Sequence, residues 1–407
     1  MTRWLLALSL PLSLLLAPLP AAASPGCGVL TERVDAVPGG GPAFLRSYDG
    51  APDPALATAA FTYDNALAAI ALTACGSLPQ ARRIGEALVL AATRDRAGAQ
   101  GRLRNAYRAG AQAAPPPPNG WWDAARGQWL EDDYQVGTAT GNVAWAALAL
   151  LTLAEATGEA RYRDAAAGLG TWVIARTADG RGPGGFTGGI HGGDAQPRPL
   201  TWKSTEHATD LDALFRWLDR LGAAGDWRRH AQAARAFIEA QREDGRFLTG
   251  TGPDGVTANR ATSGLDAQLW PQLLPDVPAP WREAVAQVEK SHGVPGGFSF
   301  NDDRDGLWTE GTAQAALVYR VLGDEPTARR LLDTVAAQRA PGGYLWATPQ
   351  ERLRTGLAIG PDSTEDDFFY YRLPHLGATA WAVLAEQGWN PFTGRRVGGT
   401  TPDAGKE

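Results

Sequence analysis

Four residues recur at comparable places along this chain and could serve one reaction: Asp64, Asn142, Glu206 and Glu310. Each stands in the first turn of an apolar segment with helical periodicity. Three of them are carboxylic acids. Two carboxyl groups facing one bond are sufficient for acid/base cleavage, one protonating the leaving group and the other attacking or activating water. Helix capping is the competing account. An acid in a first turn is stabilised by the positive end of the helix dipole, and Thr205 and Thr309 are ordinary N-cap types. Glu206 has the surroundings that most favour chemistry. Trp202 beside it would raise its pKa in a partly dry cleft, whereas Lys203 would lower it. His207 has two readings, a proton relay or a cap for its neighbour. The expected catalytic set is Glu206 with Glu310 or Asp64 as partner. Asp132-Asp133 and Glu365-Asp366-Asp367 are reserve acids in loops beside Trp129, Tyr134 and Phe368 to Tyr371. Their other reading is a solvated acidic loop.

The elements that must position these residues follow one grammar. An inner helix, apolar on nearly all sides, turns sharply into a more polar outer helix. Residues 66–74 and 79–94 form the first such pair, ended in the middle by Gly76. The pairs 143–156 with 160–176, 205–221 with 224–241, 263–274 with 280–292, and 309–322 with 326–338 repeat it, and 376–387 is a last inner helix. Turns from inner to outer helix are short. Connections back to the next inner helix are long, and gather the polar and aromatic residues on one face. A helical pair repeated every 50–60 residues or so describes a stacked array. The ends of the chain could supply a sixth pair and close a ring, an (α/α)6 toroid, with an open solenoid as the alternative. The fold class expected is all-α, with the toroid spanning residues 51–396.

The chain holds 15 Trp and 49 Gly, more than a helical protein needs. Aromatic faces in polar loops suit a sugar cleft, where a pyranose ring packs on an indole and its hydroxyls find acids and amides. Trp121, Trp122, Trp202, Trp308 and Phe186 are the candidate platforms, with core packing beneath the loops as the other reading. Tyr63, Asn142, Asp133, Lys203 and His207 complete the candidate substrate-binding set.

Four motifs carry a resemblance: Thr62-Tyr63-Asp64-Asn65, Thr140-Gly141-Asn142-Val143-Ala144-Trp145, Lys203-Ser204-Thr205-Glu206-His207 and Trp308-Thr309-Glu310-Gly311. With the helical grammar, they make the chain resemble the six-hairpin glycosidase group, (α/α)6 toroids that include glycoside hydrolases, polysaccharide lyases and sugar epimerases. The resemblance implies a cleft at the inner-helix N-termini and a polysaccharide or oligosaccharide substrate. Hydrolysis there uses two carboxyl groups, in a retaining or an inverting arrangement. A lyase would instead want a cation for a uronate and a Tyr or His base, for which Tyr63, His207, Lys203 and Arg372 are available. A non-catalytic glycan-binding component of exopolysaccharide synthesis or export is the third reading.

Composition sets the remaining bounds. Net charge is −6 with no basic block, which excludes a nucleic-acid footprint. Residues 1–23 read as a signal peptide: Arg3, a Leu-rich run and Ala21-Ala22-Ala23. Export to the periplasm or beyond is therefore expected, with no membrane insertion after cleavage. Cys27 lies close behind, but Pro25-Gly26 offers no aliphatic residue where lipidation needs one. Residues 24–50 read as an irregular N-terminal segment and 397–407 as a flexible tail. Cys27 and Cys75 either pair in an oxidising compartment or remain two thiols. Two cysteines and five scattered histidines argue against a metal site. No cofactor is expected, and the chain reads as a monomer.

Overall fold

Six helices are buried on nearly every side and stand together as an inner barrel. The computed structural model describes residues 24–96, 102–364 and 366–398. Its helices are α1 (Pro25–Asp35), α2 (Pro54–Ala57), α3 (Thr62–Ala74), α4 (Leu78–Arg94), α5 (Asp133–Val136), α6 (Thr140–Thr157), α7 (Ala160–Thr177), α8 (Thr205–Arg220), α9 (Trp227–Ala240), α10 (Leu265–Leu269), α11 (Glu283–Ser291), α12 (Thr309–Val321), α13 (Glu325–Ala336) and α14 (Leu376–Gln387). The inner six are α3, α6, α8, α10, α12 and α14. Every residue of α6 from Val143 to Leu153 is buried, as a helix enclosed by neighbours requires. The outer helices bury one stripe. In α9 it is Trp227, Ala231, Ala234, Phe237 and Ile238, the spacing of one helical face.

Each inner helix packs on the next, and α14 packs back on α3. The array is thus a closed (α/α)6 toroid. Its sixth outer helix is α1, which lies against α14 and α3. The segment 24–50, expected to be irregular and outside the toroid, therefore belongs to the ring. Ser24 caps α1 and Pro25 occupies its first position, where proline fits because that N–H has no helical partner. Residues 1–23 and 399–407 lie outside the described residues, and with them the expected signal peptide and most of the expected tail. Among the described residues no helix is long and apolar enough to cross a membrane.

One hydrogen bond is repeated six times around the mouth of the ring. The N–H of each inner helix's first residue is donated to a carbonyl in a neighbouring loop: Thr62 to Asn105, Thr140 to Gly188, Thr205 to Thr249, Leu265 to Phe300, Thr309 to Ala347, and Leu376 to Ser47, all at 2.8–3.0 Å. A first-turn N–H has no partner within its own helix, so these clasps satisfy it and fix the height of each helix start. Thr62, Thr140 and Thr205 add a hydroxyl bond to the same loops. The last clasp, on Ser47, joins the C-terminal inner helix to the N-terminal segment.

The fourth inner helix is shorter than its sequence pattern. It leaves α-geometry after Leu269 and finishes as a 3-10 turn at Trp270–Leu273, because Pro271 has no N–H to continue the ladder. The far end of the barrel is closed by a C-terminal hairpin, Trp389–Asn390 paired with Arg395–Arg396. Phe392 from this hairpin packs on Trp145 and Trp270, with ring centroids 5.1 and 5.8 Å apart. At that end Cys27 and Cys75 form a disulfide that ties α1 to the end of α3.

Candidate active site

The clasps bring the first turns of the inner helices to one level, and acids occupy four of them. Asp64 is the third residue of α3; Glu206, Asp266 and Glu310 are the second residues of α8, α10 and α12. Asn142 holds the corresponding place on α6, and His375 caps α14 by accepting the Ala378 N–H at its Nδ1. The floor is aromatic. Tyr63 lies edge-on to Trp145 at 5.4 Å, and Trp145, Trp270 and Trp381 pack on one another at 5.2–6.0 Å.

Two groupings stand out. The first is Asp64, Glu310 and His375, each no more than 3% exposed. His375 lies between the acids, with Nε2 3.4 Å from Asp64 Oδ2 and Nδ1 3.7 Å from Glu310 Oε2. Tyr48 stacks on the imidazole at 4.4 Å. Burial pushes the Glu310 carboxyl up to about 7, against the opposing pull of His375. Burial would lower His375, but Asp64 and Glu310 outweigh it and raise it. Tyr63 donates to Glu310 Oε1 at 2.7 Å. Gly377 makes this crowding possible, since a Cβ there would come within 2.7 Å of Asp64 Oδ1 and 2.9 Å of Glu310 Oε2.

The second grouping is Glu206 with Asp266, which share a hydrogen bond. The Glu206 residue keeps some solvent access, yet desolvation and the neighbouring Asp266, Asp210 and Glu310 hold its carboxyl well above the usual range. Burial raises Asp266 to about 6. One proton shared between them is the natural state at mildly acidic pH. Asp210, one turn further along α8, is fully buried and also held up by desolvation. Burial pushes His207 down to about 4, so it is neutral. A neutral His207 cannot serve as a standing cation.

The other expected site residues divide. Asn142 is half-buried and donates to Asn105 Oδ1 at 2.7 Å. Trp202 is half-buried, 5.4 Å from the His207 ring. Trp121 and Trp122 stand on a hairpin, where Trp122 faces Trp129 across the strands and is 62% exposed. Asp133 is exposed at the start of α5. Three expectations are corrected. Lys203 is fully buried and pairs with the Arg181 carbonyl at 2.7 Å and with Asp179 at 3.3 Å, so it neither holds substrate nor lowers Glu206. Phe186 is core, packed on Phe215 at 5.5 Å. Trp308 is 1% exposed, wedged between Phe300 and Tyr370 at 4.8 and 5.3 Å. The reserve acids have structural uses: Asp132 caps α5 and Asp367 accepts the Ile359 N–H. Glu365 lies outside the described residues.

Asp266 and His375 were missing from the sequence-based set. Asp266 was legible, for Leu265-Asp266 repeats the register of Thr205-Glu206 and Thr309-Glu310. His375 was not, because its Pro374-His375 context carries no acid or threonine signal.

No family model and no curated protein matches the sequence. Solved structures do match. A wild-type glycosidase superposes with a TM-score of 0.58 at 15% identity, covering 89% of this chain and 94% of that one; a variant of a glycosidase in complex with glucose gives the same score at 16%. An alpha-amylase from Clostridium perfringens gives 0.58 at 9% identity, with 91% and 99% covered. The cellobiose 2-epimerase from Spirochaeta thermophila gives 0.57 at 13%, with 88% and 92% covered. At such identities the likeness is one of architecture: this chain has the (α/α)6 toroid fold that those carbohydrate-active enzymes share.

Proposed function

We propose that the protein is an exported glycoside hydrolase that cleaves a polysaccharide or oligosaccharide at the mouth of the toroid. The observation that carries the reading is the convergence of Asp64, Glu206, Asp266 and Glu310 on one level above an aromatic floor. Hydrolysis of a glycosidic bond needs one protonated and one ionised carboxyl group. Glu310, held at about 7, stays substantially protonated up to neutral pH, where an ordinary glutamate is ionised, and so suits the general acid. The Glu206–Asp266 pair, sharing one proton, suits the group that activates water or attacks. Asp64 and His375 set the charge around Glu310. Trp202 and the half-buried Tyr370 suit the walls that pack on a sugar ring. The Cys27–Cys75 disulfide supports residence in an oxidising compartment outside the cytoplasm.

The test is digestion of a panel of neutral and uronic-acid polysaccharides, with reducing ends and absorbance from unsaturated products read together. New reducing ends without unsaturation are expected. Unsaturated products would instead identify a lyase. Binding without either product would identify a glycan-binding protein.

A further inference from the structure

We infer that Trp381 and Tyr63 form a one-way hydrogen-bond relay that dictates which oxygen of Glu310 carries its proton, so that Glu310 donates from Oε2. The catalytic side of this inference rests on Glu310 being the proton donor proposed above. Its structural side follows from donor and acceptor chemistry alone.

An indole N–H can only donate. Trp381 Nε1 lies 2.8 Å from the Tyr63 hydroxyl oxygen, so that oxygen accepts. The hydroxyl's own hydrogen then has one acceptor among the described residues, Glu310 Oε1 at 2.7 Å. Were Tyr63 to accept from Glu310 as well, its hydrogen would be left without a partner beside the rings of Trp145 and Trp270. An unsatisfied buried donor costs about 1–3 kcal/mol, which disfavours that arrangement. Gln314 Nε2 makes a second, longer approach to the same Oε1, at 3.4 Å. Both donors therefore fall on one oxygen of the carboxyl group.

The other oxygen is kept clear. Glu310 Oε2 is buried and has no hydrogen-bond partner among the described residues. The space before it exists because residue 377 has no side chain. His375 Nδ1 lies 3.7 Å away, but its lone pair is turned to the Ala378 N–H. That contact occupies Nδ1, so the imidazole makes no hydrogen bond to Oε2. Oε2 is the seat left for the proton, facing the same space as Asp64 Oδ1. Trp381 and Tyr63 are positioning residues in this scheme, since they act through Glu310.

The relay also stabilises the ionised form of Glu310, because Tyr63 donates to it. This gives a readout that packing alone would not move. The protonated carboxyl stretch of Glu310, assigned by its loss in Glu310→Gln, is followed by infrared difference spectroscopy against pH in the intact protein. In Tyr63→Phe the midpoint should rise by about 1 pH unit or more, as loss of a hydrogen bond to an ionised group implies. In Trp381→Phe it should rise by less, and Trp381→Phe should add nothing once Tyr63 is already Phe. An unmoved midpoint in Tyr63→Phe would overturn the relay. So would a Trp381→Phe shift that persists undiminished in the double variant. Tyr63→Phe removes only a hydroxyl, so the test survives if the Trp381 variant folds poorly. The titration needs no substrate, so it remains decisive even if the glycosidase reading fails. On any substrate that the panel reveals, Tyr63→Phe should lower kcat about ten-fold or more with KM little changed, and shift the alkaline limb of the pH profile with the midpoint.

Discussion

At the scale of single residues, the account turns on what burial does to Glu310. Its folded value of about 7 stands above the ordinary 4.5 of a glutamate, so the fold favours the protonated form. The stability this proton brings is complete below about pH 4.5 and is lost as pH rises through about 7. Asp266, raised to about 6, acts in the same sense over a lower window. The melting temperature should therefore fall between pH 5 and pH 8, and Glu310→Gln, which keeps a neutral side chain of the same size, should flatten part of that fall. Equal slopes in both proteins would show that Glu310 does not titrate in this range. Much of the acid set was legible in the sequence, because Asp64, Glu206 and Glu310 all stand in the first turn of their helices, third in α3 and second in α8 and α12. Lys203, Phe186 and Trp308 were misread for one reason. Side-chain type in a polar loop indicates what a residue could touch, but what it does touch depends on how the loop folds back. Lys203 turns to Asp179 and Trp308 slides under Tyr370, contacts between segments that no local pattern encodes.

At the scale of elements, the six clasps explain why first-turn residues meet. Each inner helix begins where its first N–H finds a carbonyl of a neighbouring loop, so its second and third residues reach a height common to all the helices. The threonines at 62, 140, 205 and 309 advertise four of these starts in the sequence. Leu265 and Leu376 mark the other two without such a signal, and their acid and imidazole went unread. Helix α1 was missed because the segment is rich in Gly and Pro, although Ser24-Pro25 is a cap followed by a first-turn proline. Gly377 gives a test at this scale. Gly377→Ala should cut turnover about ten-fold or more and displace the Glu310 titration, since its Cβ would press on both Asp64 and Glu310. Gly168→Ala, with nothing within 4 Å of the added Cβ, should leave turnover unchanged and raise stability by about 0.5–1 kcal/mol. Similar turnover in the two variants would separate Gly377 from the site.

At the scale of the whole molecule, the ring is closed by its two ends. Helix α14 packs on α3, Ser47 accepts the Leu376 N–H, and the disulfide fastens α1 at the opposite end of the barrel from the acids. The helical pairs and their alternating connections were legible, and a ring was the expected closure. The closure itself depends on contacts between residues more than 300 positions apart, which periodicity does not record. A Cys27→Ser, Cys75→Ser protein should lose about 2–4 kcal/mol of stability, as release of a loop of this length implies. It should still turn over substrate at moderate temperature, because the bond lies far from the mouth; denaturant melts and rate assays check the two halves. The central claim, that the carboxyl ring at the mouth is a hydrolytic centre, is tested most directly by comparing wild type with Glu310→Gln on the polysaccharide that the panel identifies. The account predicts at least a 100-fold loss of reducing-end release, with glycan binding retained. Undiminished release in Glu310→Gln would contradict it.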